Sequence, residues 1–342
     1  MALNISSKGL SGSIPPCIGN LSSITSLDLS NNAFLGKIPT ELGHLGQISY
    51  LNLSINSLEG HIPDELSLCS KLKPTTSLPP DIGNRLPNLQ SLILSMTHLS
   101  GPIPSSLANM SKLEMIYLVA TGLTGVVPSF GLLPNLRDLD LAYNHLEAGD
   151  WSFLSSLANC TQLKKQNKIY GIIPSEIGNL RSLTILYMDN NLFSGHIPPS
   201  IGNLSNLQIL SFALNDLFGE IPDYIGNLAQ LIEFHIDGNN FSGSIPSSLW
   251  HWKHLEKLDI SDNSFFGYIP PAVGNLSSIR DLIFARNNFF GHIPSTVGNL
   301  SSLSILSFAQ NNLFGHIPEL VGNLVKLTNL FLHGNSFSGS IP

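Results

Sequence analysis

The sequence predicts an α/β repeat solenoid, with a parallel β-sheet on its concave face and short helical or 3-10 turns on its convex face. Three observations predict it. A proline following an apolar residue recurs every 24 residues at Pro174, Pro198, Pro222, Pro246, Pro270, Pro294, Pro318 and Pro342, and the same step links Pro15, Pro39 and Pro63, then Pro104 and Pro128. A run of the form LxxLxL stands ahead of these prolines, as in Leu207–Phe212, Leu255–Ile260 and Leu327–Leu332. An asparagine follows that run at a fixed offset. Self-similarity at a fixed period of roughly 20–50 residues marks a solenoid, propeller or array.

Each part of the unit SIGNLSNLQILSFALNDLFGEIPD (Ser200 to Asp223) has a physical reason. The end of LxxLxL alternates apolar and polar residues, which suits a short strand with one face buried. The asparagine turns the chain off the strand, and its amide is able to bond backbone groups of its own coil and the next. Repeated, it makes a ladder: Asn32, Asn56, Asn144, Asn191, Asn215, Asn239, Asn263, Asn287, Asn311 and Asn335, with Thr97 and Thr121 filling two rungs. A threonine hydroxyl does part of the same work. Glycine then permits a tight turn. Ile-Pro fixes an extended stretch and removes a donor that has no strand partner. One unit buries too little apolar surface to offset ordering its backbone, so neighbours must stack and share faces.

Bulk composition narrows the function. Apolar residues make up 42% of the 342 positions and charged residues 11%, too hydrophobic for a disordered chain. The net charge is −7, and no basic run is longer than Lys164–Lys165, so no nucleic-acid footprint is expected. Cys17, Cys69 and Cys160 are far apart and form no CxxC pair, which argues against a zinc site or a disulfide framework. No stretch approaches the ~18 apolar residues of a membrane helix. The start, MALNISSKGLSG, lacks the basic and apolar regions of a secretory signal.

These units resemble the plant-specific class of leucine-rich repeats. SLDLSNNAFLGKIPTELGHL (Ser26–Leu45) is similar to the ectodomains of plant leucine-rich-repeat receptor-like kinases, and HLEAGDWSFLSSLANCTQL (His145–Leu163) resembles an element of a grass-expanded subfamily that includes immune receptors. The resemblance covers essentially the whole chain. It implies a horseshoe or superhelix and a protein- or ligand-binding ectodomain at the extracellular face of the plasma membrane. Its ligand would be a peptide, a microbial molecule or a co-receptor, in signalling or defence. Two alternatives share the repeat: a secreted inhibitor of a microbial enzyme such as polygalacturonase, and a nonfunctional truncated copy. Family ectodomains carry cysteine-paired caps, whereas this sequence runs from Leu3 and Ile5 of a strand to Ile341–Pro342 without them. The expectation is therefore one uncapped solenoid over 1–342, read as a fragment. Any serine/threonine kinase would belong to a longer parent.

Two stretches, 66–80 and 145–170, break the period. Pro63 and Pro79 are only 16 residues apart, and in Leu163-Lys-Lys-Gln-Asn167 the usual spacing to the ladder is shortened. The sheet is expected to be interrupted near 72–78 and 163–168. Between them, Asp150–Ala158 reads as a short convex helix with Asp150 as N-cap and Phe153, Leu154 and Leu157 inward.

No catalytic constellation and no phosphate loop can be singled out, and no cofactor is implied. His61, His196, His292 and His316 share one slot, G-H-I-P, but that slot equally holds Ser13, Lys37, Glu220 and Tyr268, so no metal site is assigned to it. The solvent-facing strand positions are better candidates. Their central column runs Asp28, Asn52, Ile93, Tyr117, Asp140, Tyr187, Ser211, His235, Asp259, Ile283, Ser307 and Phe331. Beside it lie Met96, Met115, Val119, Tyr143, Asp189, Leu214, Asp237, Asp262, Arg280 and Arg286. Exposed aromatic, methionine and arginine side chains on a rigid surface are common interface anchors. The candidate ligand contacts form an apolar patch (Ile93, Met96, Met115, Tyr117, Val119) and a mixed, more charged one (Tyr187, Asp189, His235, Asp237, Asp259, Arg280, Arg286), with Tyr143 as a further candidate. Sequons for N-glycosylation stand at Asn4, Asn20, Asn52, Asn109, Asn159, Asn203, Asn240, Asn275 and Asn299. Four of them are products of the repeat consensus GNLS.

Overall fold

The leucines of LxxLxL are found where the alternation puts them, on the buried side of short parallel strands, except in the coil of Asn329–Phe331, where Leu330 is 42% exposed. The computed structural model describes residues 1–59, 86–129, 133–147, 152–157, 159–164 and 169–341. They fall into two compact units, Met1–Ile169 and Tyr170–Pro342. In the first, the main sheet is made of Ala2–Asn4, Ser26–Asp28, Tyr50–Asn52, Ser91–Ile93, Met115–Tyr117, Asp138–Asp140 and Gln162–Lys164. Each pairs with the next in parallel, so Leu3, Leu27, Leu51, Leu92, Ile116, Leu139 and Leu163 form one row. The second unit repeats the scheme from Ile185–Tyr187 to Asn329–Phe331, with Leu186, Leu210, Phe234, Leu258, Leu282, Leu306 and Leu330 in register.

The expected interruption near 72–78 is overturned. Tyr50–Asn52 pairs directly with Ser91–Ile93, Leu51 opposite Leu92, although more than one 24-residue unit of chain separates them. His98 N–H also donates to the Leu58 carbonyl at 3.1 Å, so the turn beyond the strand stacks across the same gap. Residues 72–78 and 165–168 lie outside the described residues, as do Asp150 and His61.

The sequence did not reveal a second parallel sheet. In the second unit its strands run from Tyr170–Ile172 and Leu192–Gly195 through Asp216–Gly219, Asn240–Gly243, Ser264–Gly267, Asn288–Gly291 and Asn312–Gly315 to Ser336–Phe337. The first unit has shorter versions: Ser11–Gly12 with Ala33–Gly36 and Ser57–Leu58, and Thr124–Val126 with His145–Glu147. Each glycine that closes such a strand has positive φ, +85° at Gly195 and +92° at Gly219, which glycine adopts without a Cβ penalty.

Every helix among the described residues is a 3-10 turn, for example Ser175–Asn179, Pro199–Asn203 and Asp223–Asn227. The proline of Ile-Pro stands just before it with extended backbone (φ −68° at Pro198), and the Pro198 carbonyl accepts the Ile201 N–H at 3.0 Å. The glycine of Gly-Asn lets successive turns approach: a Cβ on Gly274 would lie 2.6 Å from the Thr296 carbonyl oxygen. The turn Ser152–Leu157 falls within the helix expected at 150–158, and Phe153, Leu154 and Leu157 are buried as anticipated. The core of each coil lies between its main strand, second strand and 3-10 turn, as with Leu186, Phe193 and Ile201, all 0% exposed. No helix of the described residues is long and apolar enough to cross a membrane.

Candidate ligand-binding face

The asparagine ladder fixes the edge of the main sheet. Asn215 Nδ2 donates to Phe212 O and Ala213 O of its own coil at 2.9 and 3.1 Å, and to Met188 O of the preceding coil at 3.0 Å. Its Oδ1 accepts the Phe193 N–H at 3.1 Å. The same Nδ2 donation recurs at Asn32, Asn56, Asn144, Asn191, Asn239, Asn263, Asn287, Asn311 and Asn335. Thr97 and Thr121 give one local bond each, to Leu94 O (2.8 Å) and Leu118 O (3.2 Å).

Just before the ladder the chain turns through the left-handed region. Ser7, Asn31, Ile55, Met96, Ala120, Tyr143, Asn190, Leu214, Asp262, Arg286 and Gln310 all have φ between +51° and +56°. This turn aims Met96, Tyr143 and Leu214 into solvent, at 56%, 60% and 56% exposure. Sequence reasoning missed the conformation because its occupants are so varied.

In the first unit Ile93 and Tyr117 are partners on adjacent strands, as are Ser91 and Met115. All but Ser91 belong to the apolar candidate patch, and Ile93, Met115, Tyr117 and Val119 are half-buried. Met96 and Val119 join it through a 2.7 Å backbone bond. Burial raises the Tyr117 phenol, and Asp138 and Asp140 add to the effect. Tyr143 lies in the turn of the next coil. Asp28, Asn52 and Asp140 are partly structural: their Oδ1 atoms accept the N–H groups of Ser30, Ser54 and Ala142 at 3.0–3.1 Å.

In the second unit the charged candidates separate. Ser211 and Ala213, 2% and 9% exposed, lie in the coil between those of Tyr187–Asp189 and His235–Asp237. His235 and Asp259 are Cα partners, and His235, Asp237 and Asp259 place one ligand atom each within 4.8 Å of the others. Burial, then the neighbouring Asp259, pushes the Asp237 carboxyl up to about 6. Burial also raises Asp259, against the lowering effect of its hydrogen bonds from Ser261 Oγ (2.6 Å) and N–H (2.9 Å). Burial raises the Tyr187 phenol, helped by Glu233 and Asp189. Asp189 Oδ1 accepts the Ala213 N–H at 3.1 Å. Arg280 and Arg286 stay apart from this cluster. Arg280 Nε lies 3.4 Å from Glu256, ahead of strand Asp281–Ile283, and Arg286 Nη1 lies 3.1 Å from Asp262, in the turn beyond it. Glu233 and Lys257 also stand on this face, paired at 2.9 Å. The alternation alone could have found them, because they are two residues before His235 and Asp259.

The histidine slot lies one residue past the strands of the second sheet. His196 and His292 pack edge-on against Phe218 and Phe314 of the next coil, centroids 4.7 and 4.8 Å apart, and His316 Nδ1 lies 3.1 Å from Ser338 O. Among the sequon asparagines, Asn20, Asn109, Asn203, Asn275 and Asn299 end 3-10 turns and are exposed, whereas Asn52 is half-buried in a main strand.

A family model described as Leucine Rich Repeat matches residues 23–45, 88–110, 182–204, 230–252 and 254–276. The chain is a leucine-rich-repeat solenoid. A probable LRR receptor-like serine/threonine-protein kinase of Arabidopsis thaliana is 49% identical over 110 residues, 30% of this chain and 11% of that protein. Among solved structures, the plant peptide hormone receptor RGFR1 in complex with RGF2 matches with a TM-score of 0.85 and 36% identity, over 97% of this chain and 55% of that one. The Arabidopsis receptor kinase HAESA, solved with the peptide hormone IDA and the co-receptor SERK1, matches with a TM-score of 0.76 and 32% identity, over 100% of this chain and 59% of that one. Together these matches show the leucine-rich-repeat fold. The repeats here span little more than half of those ectodomains and about a tenth of the kinase.

Proposed function

We propose that these repeats are the ligand-recognition part of a plant cell-surface receptor, and that the exposed face of the main sheet binds an extended peptide or protein segment. The observation that carries this reading is the end-to-end likeness to ectodomains solved with peptide hormones, joined to a strand face whose side chains line up in fixed register. A rigid row of half-buried tyrosine, isoleucine and methionine side chains offers contact area at low entropic cost. Ile93, Met96, Met115, Tyr117 and Tyr143 are the proposed apolar contacts. Tyr187, Asp189, His235, Asp237, Asp259, Arg280 and Arg286 are the proposed polar ones. A co-receptor ectodomain is the second partner, by analogy with HAESA. Phosphoryl transfer in such a receptor belongs to a kinase domain outside the repeats.

The test is selection of binders from a random peptide library on the immobilised chain, followed by affinity measurement on variants. Tyr117→Ala and Tyr187→Ala are expected to weaken selected peptides by tenfold or more, about 1.4 kcal/mol. Phe290→Ser, on the second sheet, is expected to leave them unchanged. Peptides that bind all three variants and the parent alike would overturn the assignment of the face.

A further inference from the structure

We propose that His235, Asp237 and Asp259 form a binding site for a divalent transition cation of the zinc or manganese kind, on the exposed face of the second unit's main sheet. The site stands independently of the peptide-binding reading.

Backbone pairing places the donors. His235 ends the strand Glu233–His235 and is the Cα partner of Asp259, which ends Lys257–Asp259. Asp237 follows His235 by two positions, and the period of two puts both on one side of the chain. The three donor atoms lie within 4.8 Å of one another. Donors sharing one ion at about 2.1 Å are at most about 4.2 Å apart, so small side-chain rotations close the set. Ser261 donates twice to Oδ1 of Asp259, which fixes that carboxylate and leaves Oδ2 as its ligand atom. Glu233 lies 3.5 Å from the imidazole Nε2 of His235 and is placed to steady the ring, as carboxylates do behind metal-bound histidines.

Charge favours a cation here. Asp237 and Asp259 are half-buried and repel each other. The basic side chains nearby are turned to other acids: Lys257 to Glu233, Arg280 to Glu256 and Arg286 to Asp262. The donor set selects among cations. Calcium takes six to eight oxygens and magnesium keeps a shell of water, whereas one imidazole with two carboxylates suits zinc, manganese or iron(II). Three protein ligands leave positions open for water or for a donor on a bound partner.

The experiment is calorimetric titration of Zn²⁺ alone into the chelator-treated full chain, with Ca²⁺ as a parallel arm. One site is expected, with Zn²⁺ at least tenfold tighter than Ca²⁺. Asp237→Asn, Asp259→Asn and His235→Ala should each weaken it by more than tenfold, and Glu233→Gln by less. The double variant His292→Ala/His316→Ala should leave it unchanged, which separates it from weak uptake by exposed histidines. Asp237→Asn is near-isosteric and takes one charge from a half-buried acidic pair, so it decides the outcome if another variant fails to fold. Absence of Zn²⁺ uptake by the parent, or uptake that Asp237→Asn leaves intact, would overturn the proposal.

Discussion

Asn239 donates through Nδ2 to the carbonyl of Phe212, 27 residues earlier in the chain, at 2.9 Å. The same nitrogen serves Ile236 O and Asp237 O at 3.1 and 3.2 Å, and Oδ1 accepts the Leu217 N–H at 3.0 Å. One 7%-exposed amide thus satisfies backbone groups of two coils. Asn239→Ala leaves them unpaired at a cost of about 2–3 kcal/mol. Asn239→Asp should be comparably destabilising, since a carboxylate accepts but does not donate. Urea midpoints of the two variants check this. An aspartate that behaves like the parent would mean that the donated bonds contribute little.

The left-handed turn gives a substitution of opposite sign. Ile55 has φ +53°, a conformation costly for a β-branched residue, and it is 48% exposed, so little packing is at stake. Its N–H is held by Ser95 O at 3.1 Å and its carbonyl by Asn32 N–H at 3.2 Å, so pairing imposes the conformation. Gly238 and Gly334 occupy the equivalent place with φ +64° and +71°. Ile55→Gly is expected to raise stability by about 0.5–1 kcal/mol, the left-handed penalty less the entropy of an added glycine. A fall in thermal midpoint would show that the side chain packs more than its exposure suggests.

The ladder and the strand rows were legible because a 24-residue period repeats the same chemistry many times. The second sheet was not. A strand such as Asp216–Gly219 is brief and ends in a positive-φ glycine. It also shares its pairing between two neighbours, Asp216–Leu217 with one and Phe218–Gly219 with the other. No alternation is long enough to show it. The charged patch was half legible: the repeat places Asp259 beside His235, but only geometry shows that Asp237 converges on both while Arg280 and Arg286 do not.

Asp237 makes stability depend on pH. Its folded pKa, about 6, is raised above the ordinary 3.8, so the native state holds the proton more tightly than the unfolded chain. Stability therefore declines as pH rises from about 4 to about 6, and the cost is fully present above that window. Asp237→Asn removes the cost. In buffer containing a chelator, the variant should exceed the parent in urea midpoint at pH 7.5 and lose its advantage at pH 4 or below. A difference that stays constant across this range would mean that the carboxyl is not perturbed.

Phe265 shows how neighbouring coils stabilise each other in the core. It is fully buried, with its ring nearly parallel to those of Phe241 and Phe289, at 8° and 14° and centroid distances of 6.2 and 6.4 Å. Its own backbone is fixed by the ladder, since its N–H donates to Asn287 Oδ1 at 2.9 Å. Phe265→Ala therefore opens a cavity the backbone cannot collapse into, and is expected to cost about 3–5 kcal/mol. Leu217 and Leu313 fill the same column elsewhere and are fully buried, so the site's shape accepts leucine. Phe265→Leu should accordingly cost roughly half as much or less. Because each coil is held only by its neighbours, the loss should also speed hydrogen exchange in strands Asn240–Gly243 and Asn288–Gly291 before it reaches Tyr170–Ile172. Uniformly faster exchange across the unit would instead mean that it unfolds as one cooperative block.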